Sequence, residues 1–406
     1  MTSADGPERY HAALTALEQR AAAAVDADET VELLRELIRC PSENPPGNEG
    51  PCAELLAEFL SERDIATRLV EVAEGRSNLY AQHGPGDRTL VLNGHLDTVP
   101  VGEGWTVEPF AAVVRDDRVY GRGACDMKGG IAAMCAAMLA LKRAELPLNG
   151  RMVLHMVVDE ESVALGTRKA IEEPADWVVV TEPSRGQVIA SGNGQLNYEI
   201  VFEGKAVHSS VPEEGRNAIH DAAAFIALIE TENRRFAQSP YPGIGPATYS
   251  TGLIDGGLGG TTVPDRCSLT LDRRVLPTES LDGAEKQVVS LLESLALERP
   301  GLRWSMRRTL EFPTMPDTRS RELAATVQSV VADLGGPAPT GLGMRAATDA
   351  AWYCEAGRPV VIFGPGDGET AHRPDEFISI NDLLFGARAL AVASVRLLAD
   401  QHLAGG

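Results

Sequence analysis

Residues 89–100, TLVLNGHLDTVP, constrain this chain more than any other stretch. They begin as a short apolar strand and run straight into His95 and Asp97. In an open parallel sheet, reacting groups collect just beyond the carboxyl ends of the strands. Side chains two apart on extended backbone share a face. His95 can therefore offer one ring nitrogen to a metal while Asp97 accepts a hydrogen bond from the other. Taken alone, the pair is read as easily as a turn histidine beside a capping aspartate. The rest of the chain shifts that balance.

At 406 residues the chain is too long for one compact core, so two domains are expected. Its net charge of −21 argues against nucleic acid and anionic membrane as partners. An anionic substrate would need a specific arginine to hold it. Cys40, Cys52, Cys125, Cys135, Cys267 and Cys354 are scattered without a CxxC pair, as reduced thiols of a cytoplasmic protein would be. No signal-like start and no run approaching the ~18 apolar residues of a membrane span is visible, so a soluble cytoplasmic chain is expected.

Helical spacing of Val31, Leu34, Leu37 and Ile38 stops at Pro41, and SENPPGNEG follows as loop. A second helix is predicted over 52–63, with strands at 68–72, 78–82 and 89–92. GRGACDMKGG leads into an Ala/Met helix over 130–143, whose Met134 and Met138 read as core filler. Two more apolar strands, 151–158 and 177–180, end in Asp159-Glu160-Glu161 and Thr181-Glu182. Strands separated by helices predict an α/β fold with a mostly parallel sheet sandwiched by helices. From about residue 195 the pattern becomes strand, helix, two strands, helix, strand, which predicts an inserted α+β domain. The expected domains are thus 1–194 and 313–406 for the parent fold, with 195–312 inserted.

The acids and histidines at the strand ends converge on one rim of the predicted sheet. His95 follows one strand, Glu160 and Glu161 a second and Glu182 a third, while His372 lies in the loop after a fourth. Asp126 opens the helix after the GRG turn. Nitrogen and oxygen donors without thiolate suit zinc, cobalt or manganese. Five positions exceed what one catalytic zinc uses, and they suit two metals ~3.5–4 Å apart sharing a carboxylate. Adjacent Glu160 and Glu161 point different ways, so one can bind metal while the other acts as general base.

NGHLDTVP, GRGACDMKGG, DEES, TEPS and AHRPDE together resemble the metallohydrolase family of acetylornithine deacetylase, succinyl-diaminopimelate desuccinylase, aminoacylase and glutamate carboxypeptidase. The likeness runs from about residue 30 to the C-terminus and implies the zinc-peptidase fold with two Zn²⁺ per chain. It implies that Asp126 bridges the metals, with His95 and Glu182 on one and Glu161 and His372 on the other. Glu160 is then the general acid/base, and Asp97 orients His95. A glutamate at the place of Glu182 goes with acylase and carboxypeptidase relatives, which implies an N-acyl amino acid or short peptide carrying a free carboxylate.

The inserted domain resembles the family's lid and dimerisation domain, which implies a homodimer. His208, in GKAVHSS, matches a histidine donated across that dimer to polarise the scissile carbonyl. Arg274, in LDRRVLP, matches the arginine that clamps the substrate carboxylate. Asn217 in GRNAI, and Thr348 with Asp349 in ATDA, match substrate-contacting positions that helix capping would explain equally well. One departure stands out: in GGTTVPD, Thr261 occupies a place where relatives often carry asparagine.

Overall fold

The computed structural model describes residues 14–399. The described residues divide into two compact units, one of 14–190, 317–340 and 356–399, the other of 191–316 and 341–355. Along the chain the first unit begins with α1 (Ala16–Ala23), α2 (Ala27–Ile38), α3 (Gly50–Ser61), β1 (Ala66–Ala73), β2 (Arg76–His83) and β3 (Arg88–His95). It continues with β4 (Val113–Arg115), β5 (Arg118–Tyr120), α4 (Lys128–Arg143), β6 (Gly150–Val157), α5 (Leu165–Ala170) and β7 (Trp177–Pro183). The second unit supplies β8 (Gly194–Glu203), α6 (Ala218–Phe236), β9 (Thr248–Gly256), β10 (Arg266–Val275), α7 (Leu281–Glu298) and β11 (Arg303–Phe312). Then come α8 (Arg321–Asp333), α9 (Asp349–Glu355) of the second unit, β12 (Val360–Gly364), β13 (Phe377–Ser379) and α10 (Ile380–Leu398).

The first unit is built on a six-stranded sheet of order β1-β2-β6-β3-β7-β12. Its run β6-β3-β7-β12 is parallel, while β1 and β2 pair antiparallel at one end. The parallel strands are mostly apolar and mostly buried because helices cover the sheet. Every residue of α4 from Lys128 to Leu141 is buried, as expected of a helix that is apolar all round. Met134 and Met138 lie in this core. Small residues let α4 approach the sheet closely: a Cβ on Gly130 would sit 2.3 Å from the Thr181 carbonyl oxygen. The short elements β4, β13, α5 and α9 fall outside the predicted set, being too brief to show a period.

The second unit packs a four-stranded antiparallel sheet, order β11-β8-β10-β9, against α6 and α7. Strict alternation on β8 buries Leu196, Tyr198, Ile200 and Phe202 against Phe225 and Ile229 of α6 and Val288 and Leu292 of α7. The other face is polar and carries Gln195, Asn197, Asp272 and Arg274. No helix among the described residues is long and apolar enough to cross a membrane.

Candidate metal centre

Neighbouring strands of the parallel run deliver the side chains. His95 is the last residue of β3, Glu182 the penultimate residue of β7, and Glu160 and Glu161 follow β6. His372 lies in the loop between β12 and β13, in left-handed backbone at φ +60°. Asp126 precedes α4 by two residues rather than opening it. These side chains meet around Asp126. Its Oδ1 lies 3.2 Å from His95 Nε2 and its Oδ2 3.2 Å from His372 Nε2. On one side, Glu182 Oε1 is 3.7 Å from His95 Nε2; on the other, Glu161 Oε1 is 3.1 Å from His372 Nε2. Donor atoms of His95, Glu160 and Glu182 all fall within 4.8 Å of one another, as do those of His95, Asp126 and Glu161.

The orientation of His95 differs in one detail from the expected one. Its Nδ1–H donates to the backbone carbonyl of Asp97 at 2.9 Å, and the Asp97 carboxylate stands 3.6 Å away. A carbonyl can only accept, so the hydrogen sits on Nδ1 and Nε2 is left facing Asp126 and Glu182. The Asp97 carboxylate is occupied elsewhere. Its Oδ1 accepts from Glu160 N at 3.1 Å and its Oδ2 from Glu161 N at 3.0 Å. Backbone geometry explains this, because the fully buried strand end turns the carboxylate toward the neighbouring loop after β6.

Glu376, which the sequence reading passed over, does the same on the far side. This buried carboxylate accepts from Cys125 N at 2.9 Å and Asp126 N at 3.0 Å through one oxygen, and pairs with Arg122 through the other. Its place four residues beyond His372, in AHRPDE, was the signal available.

The electrostatics follow from crowding acids and imidazoles together. Burial alone would raise the Asp126 carboxyl, but hydrogen bonds from His372 and His95 outweigh it and hold the group well below the usual carboxylate range. Burial works against charge on His95 too, yet Asp126, Glu182, Glu160 and Asp97 together raise its pKa well above the ordinary value. Hydrogen bonds to Asp126 and Glu161 lift His372 to about 10. Glu161 is raised, chiefly by burial.

Four carboxylates and two imidazoles, all nitrogen and oxygen donors with an excess of negative charge, fit divalent cations. Protons and metal compete for the same atoms. A histidine with a raised pKa keeps its proton until pH passes that value, so cation affinity is expected to climb with pH up to about 10 and to level off above it. Loading the metal-free protein at pH ~7.5 should release about two protons, one per imidazole. Titration calorimetry in buffers of different ionisation enthalpy reads this number, and release of none would mean that both imidazoles are already neutral in the metal-free protein.

The remaining predicted residues belong to the second unit. His208 is exposed, and its Nδ1 accepts from Ser210 N at 3.1 Å, leaving the hydrogen on Nε2. Arg274, half-buried on β10, donates from Nε to Asp272 at 3.0 Å. Asn217 Oδ1 caps α6 through Ile219 N and His220 N. Thr348 is buried just before α9 and its carbonyl accepts from Ala351 N, while exposed Thr261 accepts from Ser209 N through its own carbonyl.

A largely parallel α/β sheet whose carboxyl edge sets a shared aspartate between two imidazoles defines a metal-dependent hydrolase. The profile of peptidase family M20/M25/M40 matches residues 91–394, and the chain belongs to that family, whose members hydrolyse amide bonds. Acetylornithine deacetylase of Edwardsiella ictaluri (strain 93-146) is 31% identical, over 89% of this chain and 95% of that protein. A Staphylococcus aureus (strain MRSA252) protein named probable succinyl-diaminopimelate desuccinylase is 27% identical over 92% and 98%. Among solved structures, a Bacillus subtilis dinuclear metal-binding peptidase of the M20 family shares the fold. It superposes with a TM-score of 0.71 at 18% identity, covering 92% of this chain and 98% of that one. Aminopeptidase PepT from Bacillus cereus does so at 0.76 and 20%, covering 92% and 99%.

Proposed function

We propose that this chain hydrolyses the amide bond of an N-acyl amino acid, releasing the acyl group and the free amine. The observation that carries the hydrolytic reading is Asp126, each of whose oxygens faces a different imidazole. The deacylase reading draws on the 31% identity to an acetylornithine deacetylase and on glutamate rather than aspartate at position 182. His95 and Glu182 would hold one zinc, Glu161 and His372 the other, with Asp126 shared and cobalt or manganese as substitutes. The pair of metals would lower the pKa of water and polarise the scissile carbonyl.

The protein's own groups do the rest. The Glu160 carboxylate takes the proton from the attacking water and returns it to the leaving nitrogen. His208 donates from Nε2 to the carbonyl oxygen as negative charge develops there. Arg274 holds the free carboxylate of the substrate, exchanging its bond to Asp272 for one to the ligand. Asn217 contributes its amide hydrogens, since its oxygen is spent on the helix cap, and Thr348 its hydroxyl. A homodimer would form through the second unit, whose outer strand β9 exposes Leu253 and Ile254, with Leu258 just beyond it. Six cysteines, none of them in a disulfide, suit the reducing cytoplasm.

The second reading is a carboxypeptidase or dipeptidase, and Thr261 at the place of the usual asparagine is what favours keeping it. Metal-loaded protein assayed on N-acetyl, N-succinyl and N-carbamoyl amino acids beside dipeptides separates the two. Turnover of the N-acyl set is expected to exceed that of the dipeptides, and the reverse order would replace the deacylase by the peptidase.

A further inference from the structure

Behind the metal centre lies a buried polar network that the mechanism above does not use. Glu49 and Asp97 are 0% exposed and Asp159 is 2% exposed, so three carboxylates share one interior region. Asn44, also buried, joins two of them: its Nδ2 donates to Asp97 Oδ2 at 2.9 Å and to Asp159 Oδ1 at 3.0 Å. Arg76 balances the charge from behind, donating to Asp159 Oδ1 at 2.8 Å and to both oxygens of Glu49. Asp159 N in turn donates to Glu49 at 3.2 Å. Gly47 makes room for this, since a Cβ there would meet the Arg76 guanidinium carbon at 2.4 Å in a backbone already at φ +88°.

Two buried acids this close repel unless something donates to both, and an unpaired buried carboxylate is costly. Asn44 supplies that donor. The oxygen it holds on Asp97 is the one that receives Glu161 N, and the other Asp97 oxygen receives Glu160 N. We propose that Asn44 is a positioning residue for amide hydrolysis, setting the Asp97 carboxylate so that the backbone of Glu160 and Glu161 is held in register with Asp126. The proposal extends the assignment of Glu160 as base and rests on it for its effect on turnover. Arg76 and Glu49 are the fixed backing of this hold.

The test compares zinc-loaded wild type with Asn44→Ala, reading amide hydrogen exchange residue by residue alongside kinetics and metal content. Exchange at Glu160 and Glu161 is expected to quicken ~10-fold, because the acceptor of both N–H groups loses its alignment. The amides of Cys125 and Asp126, held by Glu376, should not change and serve as the internal reference. kcat should fall ~10²-fold with KM and metal content preserved, as for a displaced catalytic group. Asn44→Ser, which keeps one donor, should fall between the two and carries the same readings if the alanine variant fails to fold. Unchanged exchange at Glu160 and Glu161, or faster exchange with unchanged kcat, overturns the proposal. Should Glu160→Gln prove active, the base assignment fails instead, and the exchange result still judges what Asn44 holds.

Discussion

Glu160→Gln is expected to cut kcat ~10²–10⁴-fold while leaving the metal content unaltered. The amide keeps the size and polarity of the side chain but cannot take up a proton. The backbone of Glu160 is fixed from behind by Asp97. Its carboxylate lies on the His95–Glu182 side of the cluster, whereas that of Glu161 touches His372. Proximity alone would let Glu160 serve as a ligand, so metal analysis is part of the measurement. Retained metal with lost turnover identifies a base. Lost metal would mean that the two adjacent glutamates had exchanged roles. Elemental analysis of the purified variant beside steady-state kinetics on an N-acyl substrate decides between them.

The legible part of this site was the part written at strand ends. A strand that is apolar on both faces and stops at His95, or at Glu182, announces a functional rim, because a buried strand has no local use for such residues. Asp126 and His372 sit in loops without periodicity, and only their motifs, GRGACDMKGG and AHRPDE, pointed to them. What composition and periodicity could not show was pairing between distant segments. Asn44 and Glu49 read as part of a Pro/Gly-rich loop, and Arg76 falls between the strands predicted over 68–72 and 78–82. Their meeting with Asp159 spans separations of 115 residues for Asn44 and 83 for Arg76. Asp97 shows the same limit on a smaller scale. Its spacing puts it beside His95, but whether its carbonyl or its carboxylate meets the ring depends on the turn, and here the carbonyl does. The fold of the core was more open to reading. Alternation on β8 and the unbroken apolar run of α4 each admit one kind of burial.

Removing the imidazole of His208 is expected to lower turnover ~10²–10³-fold, the usual loss for one oxyanion donor. The ring is prepared for donation: Ser210 N gives its hydrogen to Nδ1, so Nε2 carries one outward from an exposed loop. Folding should be indifferent to His208→Ala because the side chain buries little surface. Whether this donor serves its own chain or a partner's is answered by mixing two inactive variants. If His208 crosses a dimer interface, a heterodimer of Glu160→Gln and His208→Ala has one site holding both groups intact. Random reassortment makes half the dimers mixed, so about a quarter of wild-type activity should return. If His208 acts within its own chain, every site in the mixture lacks one group and no activity returns. Denaturing and refolding the two variants together, then assaying against each refolded alone, reads the difference directly.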